Sequence, residues 1–298
     1  MSALHGILLI DKQPGWTSHD VVAKTRGLTG QRKIGHTGTL DPMATGLLVL
    51  CLGDATRFVE YMTGHDKRYE GEVTLGTSTD TDDAEGSITG GGVIPELTEA
   101  ALRQLEVQFS GELLQRPPAY SAVKVAGQRA YAVARSGKKL ELAERPVVVY
   151  SLRLKRGGPE RLVMSVHCGS GTYVRSLARD IGAALECGGH LSALRRVSAG
   201  RFNVADAATL DAVAEACAGS GLDELLLPAD EGIADTDVAI VTLPHGEEFR
   251  HGSVVRCSAG ELPAPGPVRI YDTAGSFLGV GRRTGGGELR ALKVLAGS

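Results

Sequence analysis

Cysteine is scarce in this 298-residue chain. Its five residues are odd in number, widely spaced and never arranged as C-x-x-C, which indicates neither a disulfide framework nor a zinc cluster. Aromatic residues are few as well, with 5 Phe, 1 Trp and 7 Tyr. Charge is nearly balanced: 32 Lys and Arg stand against 35 Asp and Glu, and a net −3 taken whole argues against a nucleic-acid binder. The longest strongly apolar run, residues 47–52, is far short of the ~20 residues a spanning helix needs, and no basic stretch precedes the apolar residues 7–10. A soluble, cytoplasmic protein with no membrane partner is expected. Also missing are H-E-x-x-H, a dinucleotide-binding G-x-G-x-x-G and a P-loop, since the triple glycines at 90–92 and 285–287 lack the Gly-Lys-Ser/Thr that would follow. The eight histidines show no metal-ligand spacing.

Length and glycine are what the chain has in quantity. It is about twice a typical domain of roughly 150 residues, and its 40 glycines punctuate segments without a G-X-Y period and read as turns. The small net charge conceals segregation. Residues 61–115 carry 3 basic and 11 acidic side chains, 116–205 carry 16 basic and 5 acidic, and 206–248 carry 11 acidic and no Lys or Arg. A 90-residue stretch at +11 has the profile of a polyanion site, or equally of a solvated basic face.

Periodicity predicts strands over 7–10, 47–52, 69–75, 120–125, 147–154 and 161–168. Helices are expected after Thr17 or Ser18, after Asp54 (with Phe58, Val59 and Met62 on one side), after Thr98, and over 174–185. From about residue 236 the pattern changes to five short strands over 238–243, 253–257, 268–271, 277–281 and 289–295, a small β-barrel. The fold class is α+β, with a mixed sheet in residues 1–235 and the barrel in 236–298. The DTDDAEG stretch at 80–86 has calcium-loop composition but places Ala84 at a ligand position and Glu85 where glycine is required, so it reads as part of an exposed acidic loop over 76–96. Ser121-Ala-Val-Lys124 matches S-x-x-K without the partners that acyl transfer needs.

GHTGTLDPMATG, residues 35–46, is the segment that survives as a candidate for chemistry. Pro42 disfavours the helical region for Asp41 and the flanking glycines allow unusual backbone angles, so the carboxylate projects from a shaped loop; Asp-Pro is also a common turn. Together with GILLIDKQPGWTSHDVV, DKRYEGEVTLGTSTDTDDAEG, QRPPAYSAVKVAGQRAYAVAR, GSGTYVRSLARDIG and HLSALRRVSAGRF, this loop resembles, in order and over nearly the whole chain, the bacterial TruB-type tRNA pseudouridine-55 synthases. The tail from about 238 is similar to an RNA-binding PUA domain.

That resemblance implies a largely antiparallel sheet and isomerisation of one T-loop uridine of tRNA to pseudouridine. The uridine is flipped out of its loop, cleaved from C1′, turned and rejoined through C5, with no cofactor, no metal and no obligate protein partner. It makes Asp41 the catalytic aspartate, whether through a covalent sugar, attack on the base, or a glycal. An exposed aspartate near pKa ~3.9 is ionised at neutral pH, as each route requires. Tyr69 is implied to pack on the flipped base, Arg175 to orient Asp41, Tyr173 and Leu194 to line the uridine pocket, and His36 to contact the substrate. Several basic residues, among them Arg116, Lys124, Arg129, Arg135, Lys138, Lys139, Arg195 and Arg196, are expected to meet tRNA phosphates. Lys12 reads as structural or RNA-facing. A non-catalytic tRNA-binding or tRNA-folding protein on the same scaffold is the alternative.

Overall fold

The computed structural model describes residues 4–121, 142–219, 221–256, 266–284 and 287–295, with the backbone of 124–125 and 128–129. The chain opens with β1 (Gly6–Lys12), α1 (Ser18–Thr29), β2 (Ile34–His36), β3 (Thr45–Leu52), α2 (Val59–Thr63) and β4 (Lys67–Leu75). The pair β5 (Ser78–Thr79) and β6 (Ile88–Gly90), then α3 (Glu99–Gln108), β7 (Gly111–Gln115), β8 (Lys124–Val125) and β9 (Gln128–Arg129) follow. Next come β10 (Arg145–Arg156), β11 (Arg161–Cys168), α4 (Val174–Ala184), β12 (Gly189–Ala199), β13 (Phe202–Asn203), α5 (Leu210–Ala218) and β14 (Leu226–Leu227). The C-terminal part holds β15 (Asp237–Val241), α6 (Leu243–Arg250), β16 (Val254–Arg256), β17 (Pro267–Asp272), β18 (Phe277–Arg283) and β19 (Glu288–Val294).

The main sheet runs β14-β1-β3-β12-β4-β11-β10-β7, with β2 also on β3 and β13 on β12. Its pairings are antiparallel except for β3 beside β12, the mixed, largely antiparallel sheet expected of an α+β fold. Strands β1 and β3 read as unbroken apolar runs because both of their faces are covered. On β1, Leu8 and Ile10 enter the core beneath α1, α4 and α5, whereas Ile7 and Leu9 point the opposite way into a second cluster with Phe58, Met62, Phe202 and Ile233.

Helix starts follow local chemistry. Thr17 accepts from the Asp20 N–H while the Asp20 carboxylate accepts from the Thr17 N–H, a capping box, and Thr98 caps α3 by accepting from the Ala101 N–H. Asp54 departs from its expected capping role. It lies inside a 3₁₀ turn (Gly53–Phe58), buried, with Lys33 at 3.2 Å and Arg57 at 3.6 Å, so its charge is consumed by ion pairs. Tyr120 lies outside any strand, although the expected strand over 120–125 is present at 124–125.

The C-terminal sheet, ordered β15-β17-β18-β19-β16, is a curled half-barrel of the PUA-like kind with α6 packed against it. The expected strand over 238–243 ends at Val241, because Thr242 caps α6 by accepting from the His245 N–H. This sheet docks on the rest of the chain through Phe58 against Phe277, ring centroids 5.5 Å apart, and through Lys293 with Glu60 at 2.8 Å.

Candidate active site

The one parallel pairing among the described strands of the main sheet sets Arg196 of β12 beside Gly46 of β3. Gly46 has φ +94°, and a Cβ there would lie 2.3 Å from the Arg196 carbonyl oxygen, so only glycine fits this crossing. Arg196, 2% exposed, turns its guanidinium inward: Nε donates to the Leu47 carbonyl (2.7 Å), Nη2 to Gly38 (3.0 Å) and Nη1 to Thr39 (3.4 Å). Ser18 Oγ accepts from the Leu40 N–H at 2.8 Å and donates to the Leu40 carbonyl at 3.1 Å. Lys12, wholly buried, donates through Nζ to the carbonyls of Gln13 (3.0 Å), Trp16 (2.7 Å) and Pro42 (3.2 Å). Burial pushes the Lys12 ammonium down to about 8, against the pull of Asp41 and Glu85. Three side chains from three elements thus hold the 35–46 loop, and Asp41 projects from it half-buried.

Arg175 meets it from α4. Its Nη2 donates to Asp41 Oδ1 at 3.1 Å, and its Nε lies 2.9 Å from Oδ2 as an ion pair without hydrogen-bond alignment. The same guanidinium faces Asp83 at 3.3 Å and donates to the carbonyls of Thr81 (3.1 Å) and Tyr120 (2.9 Å). A cation in a helix's first turn opposes the dipole. Here two carboxylates and two carbonyls offset that cost. Loss of water pushes the Asp41 carboxyl above the ordinary aspartate range; Arg175 pulls it back and Asp83 pushes it further up. An exposed aspartate near 3.9 is therefore the wrong picture, since partial burial makes Asp41 a more basic carboxylate than its type.

Tyr69 of β4 is buried and sits opposite Arg196 in the β4–β12 register, while Leu194 sits opposite Gly71, so Tyr69 and Leu194 line one face of the sheet. Gly71 is required there, because a Cβ would come within 2.9 Å of the Ala193 carbonyl. Tyr173 immediately precedes α4 and is partly exposed, with Ser121 beside its hydroxyl. His36 ends β2 with its ring edge-on to His19, centroids 5.7 Å apart, and its buried Nδ1 has no partner. Burial first, then the charges of His19 and Arg196, push its pKa down, which favours the neutral ring.

With this geometry in place, comparison with known proteins becomes decisive. Residues 26–174 match the N-terminal domain of TruB family pseudouridylate synthases, residues 175–234 the tRNA pseudouridylate synthase B C-terminal domain, and residues 241–295 the C-terminal domain described for pseudouridine synthase II TruB. A tRNA pseudouridine synthase B of Xanthomonas campestris pv. campestris (strain B100) is 42% identical over 296 residues, covering 99% of this chain and 95% of its own. The chain belongs to the TruB family. Another relative of that name, from Arthrobacter sp. (strain FB24), is 48% identical over 218 residues, 71% of each chain. Among solved structures, a chain of a Cbf5-Nop10-Gar1 complex superposes with TM-score 0.73 at 25% identity, over 99% of this chain and 84% of that one. A chain of an H/ACA RNP bound to a substrate RNA containing 2′-deoxyuridine shares the fold at TM-score 0.75, with 23% identity over 98% and 86% of the two chains.

Two expectations about this TruB-family chain are corrected by its geometry. Arg196 is consumed inside the protein and offers nothing to a phosphate, whereas Arg195, with its side chain 39% exposed, pairs with Asp11 at 2.9 and 2.8 Å. Arg116 remains exposed, 3.7 Å from Glu144, while the side chains of Lys124, Arg129, Arg135, Lys138 and Lys139 lie outside the described residues. The 76–96 segment is not wholly an exposed acidic loop. Asp82 and Asp83 fold in on α4, Asp82 taking Arg179 at 2.8 Å and Asp83 taking Arg175. Asp83 was invisible as a site residue because nothing in an acidic run marks which carboxylate turns inward. Among the described residues no group of His, Cys, Asp or Glu is placed to hold a metal ion, and no helix is long and apolar enough to cross a membrane.

Proposed function

We propose that this pseudouridylate synthase isomerises uridine 55 in the T-loop of tRNA, acting in the cytoplasm as a single chain without an obligate protein partner. Residues 1–235 form the catalytic unit and 236–298 an RNA-binding unit docked beside it. The curated relatives support the substrate class through their name, tRNA pseudouridine synthase B, and their near full-length match. The observation that carries the reading is the Asp41–Arg175 pair: a loop-borne carboxylate of raised basicity, ion-paired and hydrogen-bonded to one buried guanidinium, on the tightly held 35–46 loop.

In this reading the flipped uracil packs on Tyr69, with Leu194 and Tyr173 enclosing it and His36 meeting the substrate nucleotide. Asp41 acts at the reacting nucleotide while the C1′–N1 bond breaks. Uracil then turns, C5 bonds to C1′, the C5 hydrogen leaves as a proton and N1 regains one, so no electrons are exchanged with any cofactor. Arg175 keeps the carboxylate ionised and aimed. Release of tritium from tRNA labelled at uridine C5 measures the reaction. Asp41→Asn and Asp41→Ala are expected to lose at least about 10³-fold in rate, some 4 kcal/mol in barrier, while still binding tRNA. Near wild-type release by either variant refutes the assignment, and tRNA refolding with no pseudouridine formed would establish the non-catalytic alternative.

A further inference from the structure

Tyr173 occupies the N-cap position of α4 and cannot cap the helix with its own side chain. What holds its peptide comes from elsewhere in the sequence. Gln115, the last residue of β7 and only 4% exposed, places Oε1 to accept from the Tyr173 N–H at 2.8 Å and Nε2 to donate to the Tyr173 carbonyl at 3.1 Å. One carboxamide thus exchanges both bonds with one residue, as a partner in an antiparallel strand would. The two-way pattern also fixes which end of the amide faces which atom.

The segment 115–121 makes further contacts with α4. The Arg116 carbonyl accepts from Ser176 Oγ (2.8 Å) and Arg179 Nη2 (2.9 Å), and the Tyr120 carbonyl accepts from Arg175 Nη2 (2.9 Å). Those acceptors are main-chain atoms that any residue supplies. Gln115 differs, because its contribution lies entirely in a side chain that touches nothing reactive. Its two bonds fix the peptide from which the Tyr173 ring departs, two residues before the arginine that grips Asp41.

We propose that Gln115 is a positioning residue for the uridine pocket: its carboxamide sets the backbone of Tyr173 and so the placement of the ring against the base. The inference rests on Tyr173 lining that pocket. Misplacing a group by about 1 Å is enough to cost up to roughly 100-fold in rate.

The test is single-turnover tritium release, with tRNA affinity and melting temperature measured beside it. Gln115→Leu is expected to slow the chemical step roughly 10- to 100-fold while tRNA binding changes by less than about threefold. Gln115→Glu, which keeps the acceptor for the Tyr173 N–H and loses the donor, should fall between; it carries the test if Gln115→Leu does not fold. Adding Gln115→Leu to Tyr173→Ala should cost no further activity, because a residue that acts through the ring has nothing left to place. A fully additive loss in the double variant, or an unchanged rate in a folded Gln115 variant, overturns the proposal. Wild-type activity in Tyr173→Ala alone overturns instead the reading of Tyr173 on which it rests.

Discussion

Asp41 has to be an anion in a place that disfavours anions, and Arg175 is what reconciles the two. Burial lifts the carboxyl while the guanidinium pulls it down, so removing the guanidinium moves the balance in one direction only. Arg175→Ala should therefore shift the acid limb of kcat/KM to higher pH, since activity requires ionised Asp41 and falls as pH drops through its pKa. Arg175→Lys, which keeps a positive charge, should shift it less. A limb that stays in place in Arg175→Ala would show that another group titrates. Arg196 makes the contrasting case. Placed among expected phosphate contacts by its basic surroundings, it is instead buried against three carbonyls, so Arg196→Met should cost about 3 kcal/mol of stability through stranded acceptors. Thermal or urea unfolding reads that loss, and an unchanged unfolding midpoint would argue against it.

At the scale of elements, apolar runs and caps made much of the fold legible. Residues 47–52 read as a strand because both faces of β3 are buried, and Thr98, and Thr17 or Ser18, read as caps because hydroxyl chemistry at a helix start is local, the cap in the second case being Thr17. Asp54 and Asp83 misled because a carboxylate's partner is chosen by the tertiary fold: Lys33, 21 residues away, for one, and an arginine 92 residues away for the other. The parallel β3–β12 crossing was likewise out of reach, since no local signal says that Gly46 is a glycine because a strand some 150 residues on passes against it. Gly46→Ala should lower stability by about 2–4 kcal/mol, from steric conflict with Arg196 and a strained positive φ. It should also reduce turnover, because the same contact holds the loop that carries Asp41. Wild-type stability in that variant would contradict the crossing.

Over the whole molecule, the net charge of −3 conceals both a basic region and how much of it is consumed internally. Arg175, Arg179, Arg195 and Arg196 fall within the +11 stretch, yet all four are engaged by carboxylates or carbonyls of the chain itself. The other basic side chains among the described residues of that stretch are exposed: Arg116, Arg153, Arg161 and Arg201 pair with carboxylates at the surface, and Arg145, Lys155 and Arg156 stand beside them. Affinity for tRNA should fall with salt by roughly 0.7–0.9 log units per log unit for each phosphate contact, and charge reversal at Arg145, Lys155 and Arg156 should flatten the slope. Affinity indifferent to salt would contradict phosphate contacts from this basic stretch. The central claim, that Asp41 held by Arg175 converts a T-loop uridine, is tested most directly by incubating the purified chain and its Asp41→Asn variant with unmodified tRNA transcript and mapping pseudouridine base by base. Pseudouridine at position 55 with the wild-type chain and none with the variant is the predicted result; equal modification by both, or none by the wild-type chain, would contradict it.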